Sequence, residues 1–234
     1  MTVADSTRMR LGCVVPVACA VLLAGCGSTV PGRPATPAPT TVTRHVSAEL
    51  PTLLPDPAQF PPPYAAVMLP QEAVAQAAGD LDGMGRGAHV QPGRCVPPQQ
   101  DFGPDRTAMA VGTDDATRAT LTVELTRTGE PLTSLRARTQ QCGSVRVSRA
   151  GATTTVTTEM DSPPPIDADD ALSLRRTVRP ESGGAGLTQS MHTHVGQIGD
   201  VRITVTYMSF AEGEPDSAAL DALFATAVGK VRER

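Results

Sequence analysis

The chain has 234 residues, no tryptophan, two tyrosines and four phenylalanines. So few rings argue against an aromatic-lined platform for sugars. Asparagine is absent and Lys230 is the only lysine, so basic charge is carried almost wholly by arginine. That bias, with the abundance of alanine, reads as the coding habit of a GC-rich genome. Net charge is −4 and no basic cluster is present, which speaks against nucleic acid and anionic membrane surfaces as partners. Long apolar runs are missing too. The longest, Leu11 to Leu23, has 13 residues, short of the roughly 20 that span a bilayer.

Recognisable catalytic motifs are also absent. The chain has no Gly-x-Ser-x-Gly elbow and no Ser-x-x-Lys with a downstream Lys-Thr-Gly, so nucleophilic catalysis is unmarked. Dispersed residues can still assemble a triad, whatever their order. The glycine-rich run at 183–186 follows no βαβ pattern and reads as a turn, not a phosphate loop. No repeat is found. The expectation is a protein that is not an enzyme and takes no cofactor.

What is present begins at the N-terminus. Arg8 and Arg10 precede the apolar Leu11–Leu23 run, which ends in Leu23-Ala24-Gly25-Cys26. A basic n-region, a short apolar h-region and small residues before the cut describe a secretion signal. The terminal cysteine makes it a bacterial lipobox: its thiol forms the thioether to diacylglycerol, and the small residues let the peptidase close around the backbone. Residues 1–25 are then a cleaved signal peptide, and Cys26 is the lipidated (palmitate-bearing) N-terminus. The protein is thereby tied to the extracytoplasmic face of the cell membrane. The alternative is an ordinary secretory signal that happens to end in cysteine.

Five cysteines are present. Cys13 and Cys19 leave with the signal, Cys26 is taken by lipid, and Cys95 and Cys142 remain. In an oxidising compartment such a pair forms a disulfide; two buried free thiols are the alternative. Processing removes Arg8, Arg10 and Asp5 and takes the net charge from −4 to −5.

Residues 26–63 read as the lipidated cysteine and a tether. Ten prolines and six threonines fall between Gly27 and Pro63 without hydrophobic periodicity, as in a semi-rigid polyproline spacer or an O-glycosylated stalk. A single domain is expected over 64–234. Pro70 opens a helix with Val74, Ala77 and Ala78 on its apolar face. Ala119, Leu121, Val123 and Leu125 alternate with Thr120, Thr122, Glu124 and Thr126, predicting a strand buried on one face only. Pro131 opens a second helix that stops at Cys142-Gly143. Hairpins are predicted around Ala150-Gly151 and Gly199-Asp200. Asp216 or Ser217 caps a last helix carrying Leu220, Leu223, Phe224, Ala227, Val228 and Val231 on one stripe. Mainly consecutive strands with about three helices predict an α+β fold with an antiparallel sheet.

Two constellations invite a metal. His192 and His194 share one face of a predicted strand, but tetrahedral zinc needs further ligands and none is marked. A solvated polar face is the expectation, with both histidines dispensable to stability. Asp167-Ala168-Asp169-Asp170 opens like a calcium loop, yet the sixth and twelfth positions hold Leu172 and Val178 rather than Gly and Glu, so it fails. No metal site is expected.

The lipobox and the Pro/Thr tether look like those of a mycobacterial lipoprotein. Phe60-Pro61-Pro62-Pro63-Tyr64, Arg94-Cys95-Val96-Pro97-Pro98, Gln141-Cys142 and Ser162-Pro163-Pro164-Pro165-Ile166-Asp167 resemble the DUF5642 family of small actinobacterial lipoproteins, over roughly residues 58–234. A looser likeness is to the extracellular sensor domains of mycobacterial serine/threonine kinases. The resemblance implies a paired-cysteine α+β domain and supplies no catalytic residue. The expected role is non-catalytic recognition of an envelope protein or small ligand. The rivals are a carrier of apolar envelope lipids and an envelope hydrolase.

Overall fold

Alternating side chains drive the architecture. In strand β4 (Thr120–Arg127) Leu121, Val123 and Leu125 face one way, and in β9 (Val201–Ser209) Ile203, Val205 and Tyr207 face the same way. Leu125 pairs with Ile203, Val123 with Val205 and Leu121 with Tyr207, so the two strands present one apolar surface. The computed structural model describes residues 41–42, 44–85, 87–181, 188–211 and 213–234. The lipobox, Cys26, the tether to residue 40 and the 183–186 turn lie outside them.

One antiparallel sheet of nine strands results, in the order β1-β3-β4-β9-β8-β7-β6-β5-β2. The other strands are β1 (Ala65–Met68), β2 (His89–Gln91), β3 (Thr107–Thr113), β5 (Ser144–Arg149), β6 (Ala152–Asp161), β7 (Asp170–Pro180) and β8 (Gln189–Ile198). The helices are α1 (Leu50–Leu53), α2 (Gln71–Leu81), α3 (Leu132–Gln141) and α4 (Ser217–Arg232). The expected α+β class and antiparallel sheet hold, and the three longer helices fall where the sequence places them.

Helix α4 seals the first face of the sheet. Asp216 accepts from the Ala219 amide at 3.0 Å, a cap worth about 1 kcal/mol. Lys230 and Arg232 stand in the last turn, where the helix dipole favours cations. Leu220, Leu223, Phe224, Ala227, Val228 and Val231 are all buried against β4, β8 and β9.

Part of the segment expected to be tether packs with the domain. Val46, Leu50, Leu53, Leu54 and Phe60 lie in the same core as α4. Proline here shapes turns instead of an extended spacer. Pro51 sits in the first turn of α1 and Pro57 starts a 3-10 turn closed by reciprocal Asp56–Gln59 capping, places where its fixed φ fits and its missing N–H is not needed.

That N-terminal segment is clamped to the β8–β9 turn. Gly199 has φ +54, and a Cβ there would stand 2.6 Å from the Arg44 carbonyl, so only glycine lets the two backbones meet. The Asp200 amide donates to Arg44 O at 2.8 Å. Its carboxylate accepts from the Val46 amide (2.8 Å) and Arg127 Nη1 (2.9 Å) and contacts His45 Nδ1 at 2.6 Å. Burial by itself would raise the Asp200 carboxyl; the Val46 amide, His45 and Arg127 outweigh it and hold it below the ordinary value. Asp169, one of the residues of the failed calcium pattern, pairs instead with Arg44 and Arg232. Asp167 pairs with Arg232 and Asp170 with Arg136.

Candidate functional site

The opposite face of the sheet is built differently. Its middle carries Thr122, Glu124, Thr193 and Thr206, all buried. The polar side of β4, expected to meet solvent, is therefore covered. The cover comes from α2, α3 and the chain between β2 and β3.

Helix α2 ends over β7 and β8. Gly83 has φ +72, and a Cβ there would meet Val178 Cγ2 at 2.8 Å, so the glycine lets the helix end settle onto the sheet. Asp82 stabilises the turn, its Oδ1 accepting from the amides of Met84 (2.8 Å) and Gly85 (3.3 Å). The chain then pairs β2 with β5 at the far edge. After the short Gly93–Cys95 turn it returns as a strap over 96–102.

Both ends of the strap are fastened. Cys95 is disulfide-bonded to Cys142 at the C-cap of α3, Cα to Cα 5.6 Å. At the other end Gln100 Nε2 donates to Glu124 Oε1 (2.7 Å) and Thr126 Oγ1 (3.2 Å), and Gln71 Nε2 donates to the Phe102 carbonyl. Burial raises the Glu124 carboxyl, and the Asp82 charge adds to the effect; the Gln100 donor and the Arg202 charge oppose it.

Open cavities flank the strap on either side and share Asp82, Met84, Pro97 and Pro98. The one toward α2 measures about 550 Å³. The one toward α3 is about 160 Å³, with Met84, Leu135, Val145 and Val156 as apolar wall and Asp82, Arg138 and Arg176 as charged groups. Arg176 follows Leu172 and Leu174 on the inward side of β7. Its Nη1 donates to Leu81 O at 2.9 Å and its Nε to Thr158 Oγ1 at 3.1 Å. Burial lowers its pKa while Asp82 works the other way. Burial raises Asp82, against the Met84 amide and the Arg176 charge. The two act on each other through the field, without a direct ion pair.

His194 is not on a solvated face. It sits under α4, with its Nδ1 2.6 Å from Ser173 Oγ and its Nε2 2.7 Å from Asp221 Oδ1. Its ring lies 5.3 Å from that of Phe224. A Ser–His–carboxylate chain facing an open cavity of about 280 Å³ has the connectivity of a hydrolase, but two features speak against the chemistry. The imidazole turns Nδ1 rather than Nε2 to the hydroxyl, the reverse of the hydrolase arrangement. Ser173 also lies mid-strand, paired with both Asp161 and His194, so its backbone N–H belongs to the sheet and is not available to an oxyanion. The chain fastens α4 to β7 and β8. His192 remains half-exposed, and burial, then Arg175, holds it below the ordinary imidazole value. His45 lies in the N-terminal clamp and His89 is exposed on β2. Among the described residues no group of three metal-ligating side chains gathers.

Asp82, Arg138 and Arg176 were not marked in advance. One signal existed: Leu172, Leu174, Arg176 and Val178 share a parity, and an arginine on an inward parity is anomalous unless it serves a site. Asp82 carried no such signal, because its place depends on where α2 ends.

No protein-family model matches the chain, DUF5642 included, and no curated protein matches it. Among solved structures it is similar to an uncharacterised Mycobacterium smegmatis protein, the Rv0999 ortholog. Identity is 16%, TM-score 0.46, with 75% of this chain and 92% of that one covered. It is also similar to the extracellular domain of PknH from Mycobacterium tuberculosis, at 10% identity and TM-score 0.43, covering 72% of this chain and 99% of that one.

Proposed function

We propose that this chain is an envelope lipoprotein, anchored through Cys26, whose domain binds a small ligand beside the strap without catalysing a reaction. The observation that carries the reading is the cavity between strap and α3, where Arg176 and Asp82 face open space at the edge of a buried polar floor. Partly compensated buried charges are costly to a fold and concentrate where a protein works. That charged floor suits an acyl chain poorly, which weighs against the lipid-carrier reading.

The lipobox supports the anchor, and the Cys95–Cys142 bridge suits an oxidising compartment. Among the described residues no helix is long and apolar enough to cross a membrane. With the fold engaged from Val42, whose amide donates to Gly129 O at 3.2 Å, about 15 residues remain as spacer.

Two experiments test this. Cys26→Ala should move the protein into the aqueous phase in detergent partitioning; continued membrane association would remove the anchor from Cys26. A fragment screen by amide chemical shift on the same full-length variant should place hits at Met84, Thr139 and Cys142. Hits confined to the Ser173 cavity, with ester turnover lost in Ser173→Ala, would replace binding by hydrolysis.

A further inference from the structure

The strap cavity constrains the chemistry of its ligand, an inference that rests on the binding reading above. Arg176 spends Nη1 and Nε on Leu81 and Thr158. Its Nη2 has no hydrogen-bond partner among the described residues, and the side chain lines the cavity. Asp82 has its Oδ1 taken by two amides, while Oδ2 has no partner among the described residues and the side chain lines the same cavity. The cavity thus offers one donor and one acceptor, of opposite charge, that neither each other nor any other described residue takes up. The second arginine, Arg138, is already matched by Glu130 at 3.2 Å, so the site has no net charge for a simple anion to neutralise.

The rest of the lining is apolar. Leu135 of α3, Val145 of β5, Val156 of β6 and Met84 form a wall beside the charged pair. The volume of about 160 Å³ equals roughly five waters at ~30 Å³ each, so the ligand is compact.

We infer that the cavity binds a small zwitterion, an amino acid with an apolar side chain, its carboxylate on Arg176, its ammonium on Asp82 and its side chain against the Leu135–Val145–Val156 wall. Each end of such a ligand supplies the bond its partner lacks, and both charges of the site are compensated at once. A plain carboxylate would leave Asp82 facing it; a plain amine would leave Arg176 facing it. Either mismatch leaves a desolvated group without a partner, the arrangement that discriminates most strongly between ligands.

The test titrates the full chain carrying Cys26→Ala with three probes of matched shape, followed by amide shifts. L-leucine has both charges, 4-methylpentanoate lacks the ammonium and isoamylamine lacks the carboxylate. Leucine should shift Met84 and Thr139 and bind at least roughly tenfold more tightly than either other probe, the loss expected for one unpaired charged group. Asp82→Asn keeps an acceptor for the Met84 and Gly85 amides, so the fold should stand. In that variant leucine should lose about tenfold while 4-methylpentanoate does not weaken. Equal binding of all three probes would overturn the zwitterion and leave the cavity a binding site. No shift at the cavity from any probe would overturn both readings.

Discussion

The two faces of the sheet solve opposite problems. Under α4 the surface is largely apolar and tightly packed, and Asp200 and Asp169 at its rim are fully partnered. Asp200 and Asp169 are both held below the ordinary value despite the upward pull of burial. Under the strap the surface is polar and partly open, and Asp82 and Glu124 are raised because burial outweighs what their partners supply. One face therefore carries stability, and the other gives some of it up to hold partly buried charged groups beside an open cavity. Stability and the proposed binding are thus assigned to different faces, so single substitutions can separate them.

The sharpest break should come from Leu223, fully buried at the centre of the α4 stripe. Leu223→Ala should lower stability by about 2–5 kcal/mol, as large-to-small changes in a packed core do. Leu135→Ala, at a half-buried position on the strap face, should lose clearly less while disturbing the cavity. Urea unfolding of both variants makes the comparison. Equal losses would mean that the strap face carries as much of the fold as the α4 face.

Asp200→Ala removes the carboxylate shared by Arg127, His45 and the Val46 amide, leaving a poorly exposed guanidinium without its counter-charge. A loss of about 1–3 kcal/mol is expected, the range for stranding a hydrogen-bonded charged group. Because the folded Asp200 carboxyl is held below its ordinary value, its contribution is complete above the usual carboxylate range and fades as pH falls through the folded pKa. Wild type and variant should therefore converge in stability toward strong acid. A constant gap across the pH range would mean that Asp200 acts by packing and not by charge.

These two faces were unequally legible in the sequence. The α4 face could be read because period and burial coincide: Leu220, Leu223, Phe224 and Val231 follow the helix repeat, and Leu121, Val123 and Leu125 follow the strand repeat. The hairpin turn at Gly199-Asp200 was equally plain. The strap face misled because Thr122 and Glu124 have the parity of a solvated strand side, and nothing local reveals that a segment from residues 96–102 returns over them. That cover depends on a bridge between residues 47 apart. The N-terminal segment misled for another reason. Its prolines suggested spacer, and the few apolar residues among them, Val46, Leu50, Leu53 and Leu54, reveal their role only through contact with the α4 core.

His194 tests the boundary between the faces. Expected to be dispensable, it bridges Ser173 and Asp221 and packs on Phe224 beneath α4. His194→Ala should therefore cost about 1–2 kcal/mol, two hydrogen bonds at about 0.5–1.5 kcal/mol each less what relaxation recovers. His192→Ala, two residues away and half-exposed, should stay within about 0.5 kcal/mol. Thermal unfolding of the two variants decides it; matching melting temperatures would return His194 to the solvated face.

The smallest expected effect is the most direct test of the contrast. Glu124 is raised by burial, so the folded state binds its proton more tightly than the unfolded chain does. Between the ordinary carboxylate value and the folded value the native state holds more protons, and stability must fall as pH rises through that window. Above it the ionised carboxylate is a net burden. Glu124→Gln keeps an amide oxygen for Gln100 and removes the charge, so the variant should be more stable than wild type near neutrality, by about 1 kcal/mol or roughly 2–4 °C in melting temperature. Asp82 is raised by the same cause and titrates in the same sense, so part of the slope should survive in the variant and disappear in the double change with Asp82→Asn. If Glu124→Gln instead destabilises at pH 7 and leaves the slope untouched, the Glu124 carboxylate is fully compensated. The strap face would then be as well satisfied as the face beneath α4.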